Sequence, residues 1–191
     1  MTTDTTERGL EDLIVRAMTG HTDLLSPDHV ATEDSVPVAG GTGWLLGDPH
    51  HYDRDYCVDL VQLRGFVMAT QEDLLDALSL GADGPTRRKF LARLQGEISR
   101  RGTIDVLRNG IKHGAHQVDL FYGTPSPDNE NAVELFARNR FSITRQLRYS
   151  ADETQLALDL CLFINGLPVA TFELKNSLTC LLYTSPSPRD S

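Results

Sequence analysis

The chain has 191 residues, 40% apolar and 24% charged, with a formal net charge of −9. It is long enough for one domain with a sizeable core, and no stretch approaches the ~20 apolar residues of a membrane span. The acidic balance excludes a module that captures nucleic acid by bulk charge alone.

That charge is unevenly spread. Residues 1–60 hold twelve acids and three Lys/Arg, whereas residues 87–148 hold six acids and twelve Lys/Arg. Any phosphate-facing surface is therefore expected in the second half. Cys57 and Cys161 form no CxxC, and MTTDTTERGLED lacks an apolar leader core. A reducing, cytoplasmic setting is expected, with no signal peptide and no membrane partner.

In chain order, Glu7–Met18 predicts an amphipathic helix with Leu10, Leu13, Ile14, Ala17 and Met18 on one stripe. Glu7 and Glu11 share its flank, and the simplest reading of both is solvated acids favoured by the helix dipole. Gly20–Gly43 is polar and broken by Pro27, Pro37 and Gly40-Gly41, hence loop. His21, His29, His50 and His51 match no zinc spacing and read as surface residues. Trp44-Leu45-Leu46 looks like an anchor onto the core.

Val58–Met68 is apolar enough for a helix or a strand. Thr70 and Asp73 form a T-x-x-D capping box that predicts a helix to about Leu80. Arg87–Arg101 predicts a helix with Phe90, Leu91, Leu94 and Ile98 inside and a basic outer face. Thr103–Leu107 and Gln117–Tyr122 read as short strands across a turn at Asn109-Gly110, and Asp119 as a structural acid. Ala132–Ala137 reads as a helix and Phe141–Tyr149 as a strand. Arg138, Arg140, Arg145 and Arg148 form an acid-free basic run, the candidate DNA phosphate contacts. No GxxxxGK[ST] phosphate loop occurs, so no ATPase site is expected in these residues.

Leu158–Asn176, LDLCLFINGLPVATFELKN, reads as two apolar strands joined at Asn165-Gly166. Asp159 lies on the first, Glu173 and Lys175 on the second. Lone charges in so apolar a setting are costly unless paired or neutralised. Two carboxylates can hold a hard divalent cation, and an ammonium beside them can serve the water that attacks phosphorus. Alternation makes this conditional. A two-residue Asn-Gly turn would put Asp159 and Glu173 on opposite faces, so the site requires an odd loop or a bulge. Otherwise the same residues describe a half-buried hairpin with charges at its rim.

LDLCLFINGLPVATFELKNSLT, with RNRFSITRQLRYS (138–150) and GWLLGDPHHYDRDYCVDLVQLRGFV (43–67), resembles the nuclease core of the restriction subunit of type I restriction–modification enzymes. That resemblance implies an α/β fold of the PD-(D/E)xK restriction-endonuclease-like kind, a mixed central sheet flanked by helices. It implies Asp159, Glu173 and Lys175 as catalytic residues, with Asp159 and Glu173 binding Mg²⁺. Such nucleases often carry a metal-supporting Glu on their first helix, which makes Glu11 a candidate. The resemblance further implies double-stranded DNA as substrate, methylation and specificity subunits as partners, and ATP as a cofactor of the complete subunit. Two other readings stay open: a PD-(D/E)xK nuclease of another defence or repair system, and a non-catalytic assembly module.

The family's Gln-x-x-x-Tyr helix does not follow the ELK segment. Instead Cys180–Asp190, CLLYTSPSPRD, reads as one frame of a transposase-based sequencing adapter. The expectation is a nuclease domain over residues 1–179, incomplete at its C-terminal end and at best weakly active alone, followed by a non-native tail over 180–191.

Overall fold

A mixed four-stranded sheet runs through the centre of the computed structural model, which describes residues 7–126, 128–150 and 156–175. The chain begins with α1 (Glu7–Thr19), β1 (Leu45–Gly47), β2 (Tyr52–Asp53), β3 (Val58–Asp59), α2 (Leu60–Thr70) and α3 (Glu72–Leu78). Then come α4 (Pro85–Arg101), α5 (Thr103–Asn109), β4 (Ile111–His113), β5 (His116–Val118) and α6 (Glu130–Ala137). Three long strands close it: β6 (Phe141–Arg148), β7 (Ala157–Ile164) and β8 (Leu167–Phe172).

The sheet order is β1-β6-β7-β8, with β1 parallel to β6 and the other pairs antiparallel. The expected α/β architecture, a mixed central sheet flanked by helices, is the one observed. A large core joins Leu63, Phe66 and Val67 of α2 to Phe90, Leu91 and Leu94 of α4, to Val106 and Leu107 of α5, and to Leu167 of β8. A smaller one packs Val15 of α1 against Leu46, Ile143 and Leu160.

Three local expectations change. Thr103–Leu107 is helical rather than a strand. Val106 N–H donates to the Gly102 carbonyl, four residues back, at 3.2 Å, and Val106 and Leu107 are both buried in the large core. Asp105 accepts from Arg101 and Asn109, each four residues away, as helix spacing permits. The neighbouring hairpin instead pairs β4 with β5 across His113–His116. Thr70 caps nothing: it ends α2, and its Oγ1 donates back to the Phe66 carbonyl at 2.8 Å. On α1 the inward line is Glu11, Val15 and Thr19, whereas Leu13 is 61% exposed. The expected tail, Cys180–Ser191, lies outside the described residues.

Candidate active site

The β7–β8 hairpin is pinned at its turn. Ile164 pairs with Leu167, leaving a two-residue Asn165-Gly166 turn with φ of 50° and 83°. Both values are positive, as a primed hairpin turn requires. Asn165 is fully buried: its Nδ2 donates to the Leu120 carbonyl at 2.9 Å and to Asn139 Oδ1 at 3.0 Å, and its Oδ1 accepts the Arg140 N–H at 2.6 Å. A Cβ on Gly166 would overlap the Asp59 carbonyl oxygen, while Asp59 N–H donates to the Gly166 carbonyl at 2.8 Å. The turn is thereby clamped to the start of α2.

Such a turn alone would separate Asp159 from Glu173. The ladder corrects it: Phe163 pairs with Pro168 but Leu162 with Ala170, leaving Val169 as a bulge. Leu160 then faces Phe172, the last pair of the ladder, and Asp159 and Glu173 are the next residues beyond it. β8 ends at Phe172, so Glu173 and Lys175 follow the strand rather than belonging to it. Past that end, Asp159 Oδ2 accepts the Leu174 N–H at 2.6 Å. Leu174 turns inward against Leu160 and Ile143, while Glu173 and Lys175 on either side are exposed.

Glu11 is not the solvated acid that its place in the sequence suggests. It is 3% exposed, and its Oε1 accepts from Arg145 Nε at 2.6 Å. Arg145 also pairs with Asp12. Glu11 Oε2 accepts from Gln146 Nε2 at 2.8 Å, and the same amide reaches Asp159 Oδ1 at 3.4 Å. Glu7, Arg8, Glu11, Arg145, Gln146 and Asp159 line a pocket of about 430 Å³, with Glu173 and Lys175 outside its lining.

The basic run divides. Arg140 is a correction to the phosphate-contact expectation. It is buried, donating to Gln62 Oε1 at 2.9 Å and to the carbonyls of Thr32, Glu33 and Ser35 at 2.6–3.3 Å. It ties the N-terminal loop to β6. Arg145 neutralises Glu11. Arg138, paired with Glu134 at 3.2 Å, and Arg148 remain exposed. Cys161, two residues from Asp159, is buried, and burial pushes its thiol up to about 12, far from a thiolate nucleophile. Nothing in a strand's alternation marks Gln146 as an amide that reaches two carboxylates.

Among the described residues no three His, Cys, Asp or Glu side chains stand close enough together to hold a metal ion. The donor chemistry nonetheless fits Mg²⁺, which takes one or two carboxylates and completes its shell with water and phosphate. Asp159 is half-buried, accepts neutral N–H groups, and has no cationic partner among the described residues. Glu11 differs, its charge already answered by Arg145.

A profile of the type I restriction enzyme R protein N terminus (HSDR_N) matches residues 87–184, more than half of the chain. The matched span contains Asp159, Glu173 and Lys175 and excludes Glu11. No curated protein and no solved structure matches the chain.

Proposed function

Because this chain belongs to the type I restriction enzyme R protein N-terminal family, we propose that it is that protein's Mg²⁺-dependent endonuclease domain. Its reaction is hydrolysis of phosphodiester bonds in double-stranded DNA by a PD-(D/E)xK site. ATP and the motor that uses it belong to the rest of the R protein, which acts with methylation and specificity subunits and works in the cytoplasm.

The bulge at Val169 carries this reading. It restores the parity that the Asn-Gly turn breaks, and so supports Asp159 and Glu173 as a facing pair. Asp159 and Glu173 would hold Mg²⁺. Bound there, the ion supplies Lewis-acid polarisation of the scissile phosphate. Lys175 donates to the attacking water, orients it, and offsets charge gathering on the phosphoryl oxygens. The half-buried Asp159, fixed by the Leu174 N–H, stays ready as a ligand without rearranging. Arg138 and Arg148 are the basic-run residues left to meet DNA phosphates.

The test is Mg²⁺-dependent nicking of supercoiled DNA by the R protein assembled with its partner subunits. Nicking is expected to vanish with chelator and in Asp159→Asn. Nicking that persists in Asp159→Asn would overturn the reading and favour an assembly module, in which these charges are structural.

A further inference from the structure

Gln146 stands where β6 breaks its own rules. Its φ is +48°, a left-handed conformation that non-glycine residues seldom adopt inside a strand. The β6–β7 ladder pairs Arg145 with Leu160 and Leu147 with Leu158, and skips the pair between them, Gln146 with Asp159. Consecutive side chains on a strand should diverge, yet Arg145 and Gln146 both reach Glu11. Leu147 instead packs with Cys161 and Phe163. Strained backbone of this kind persists where surrounding contacts over-determine it, and it gathers at functional sites.

Resting on the nuclease reading above, we infer that Gln146 is a positioning residue of the metal centre, its amide joining Glu11 of α1 to Asp159 of β7. The two N–H groups of one Nε2 serve two carboxylates on different elements, at 2.8 and 3.4 Å. A hydrogen-bonded chain thus runs from Arg145 through Glu11, Gln146 and Asp159 to the Leu174 backbone, between Glu173 and Lys175. The broken pair serves the same end. With no ladder partner at Gln146, Asp159 lies in the pocket beside α1. A neutral donor suits this place. Lysine or arginine there would neutralise Asp159 as Arg145 neutralises Glu11, and would compete with the cation.

The test titrates Mg²⁺ alone into the full chain by calorimetry, with thermal melts of each variant alongside. Gln146→Gly keeps the left-handed backbone without strain and removes the amide, so it is expected to fold as the parent does. Gln146→Leu keeps the bulk. Both are expected to bind Mg²⁺ at least about tenfold more weakly, as loss of an outer-shell partner does. Gln146→Glu, which sets a third carboxylate beside two, is expected to melt lower than the parent without Mg²⁺ and to gain more from adding it. Asp159→Asn separates the layers. If it lowers Mg²⁺ affinity while Gln146→Gly, folded, matches the parent, the role of Gln146 is overturned and the nuclease reading stands. If neither variant changes binding, both are overturned.

Discussion

The Leu174 N–H donates to Asp159 Oδ2 at 2.6 Å, so the residue between Glu173 and Lys175 is tied to the carboxylate across the hairpin. One hydrogen bond therefore joins the Asp of β7 to the Glu-x-Lys beyond β8. It lies where the ladder has ended, just past Phe172.

Removing that donor should weaken the site without dismantling the fold. Leu174→Pro deletes the N–H, whereas Leu174→Ala keeps it and loses only packing against Leu160 and Ile143. Leu174→Pro is expected to lower Mg²⁺-dependent nicking by about tenfold or more. Leu174→Ala should cost roughly 1–3 kcal/mol of stability and leave most nicking intact. Equal activities in the two variants would show the bond to be dispensable.

Asn165 carries the turn that aims both strands. Alanine there strips partners from the Leu120 carbonyl, Asn139 and the Arg140 N–H, all in the interior. Its left-handed φ of 50° adds strain for any residue bearing a Cβ other than Asn or Asp. Asn165→Ala is expected to cost about 2–4 kcal/mol in urea unfolding. A loss below about 0.5 kcal/mol would contradict the clamp.

Asp59 gives the chain a pH dependence of defined sign. Burial raises its carboxyl above the ordinary value, against hydrogen bonds from α2 backbone and the charges of His51 and Arg140. Between the ordinary and raised values the folded chain binds more protons than the unfolded chain, so Asp59's contribution to stability falls as pH rises through that window. Asp59→Asn preserves the cap on Gln62 N–H and should flatten this part of the slope, with the variant gaining on the parent towards neutral pH. Asp59→Ala loses the cap as well, at about 1 kcal/mol. Identical pH slopes for parent and Asp59→Asn would contradict this.

The hairpin was readable because alternation, Asn-Gly and three misplaced charges all fall within nineteen consecutive residues. Sequence stated the parity problem but not its answer: whether a loop or a bulge absorbs the odd residue depends on how Asn165 and Gly166 are clamped by Leu120, Asn139 and Asp59, all distant in the chain. The same limit hid the fates of the arginines. Arg140 and Arg145 look alike in RNRFSITRQLR, and only tertiary packing gives one to loop carbonyls and the other to Glu11. Helix α5 is hard to read because Ile104, Val106 and the basic turn imitate a strand, and what decides it is the Val106 N–H donating to the Gly102 carbonyl four residues back. Left-handed backbone at a glutamine leaves no mark in sequence at all.

The most direct measurement is Mg²⁺-dependent nicking of supercoiled DNA by the assembled enzyme carrying Lys175→Ala. Lys175 is exposed and lies past the end of β8, so its removal should leave circular dichroism and the melting temperature unchanged. Loss of a charged donor aimed at the reacting phosphate is expected to lower the rate by about 10²–10³. A folded Lys175→Ala enzyme nicking at the parent's rate would contradict the nuclease site proposed for Asp159, Glu173 and Lys175.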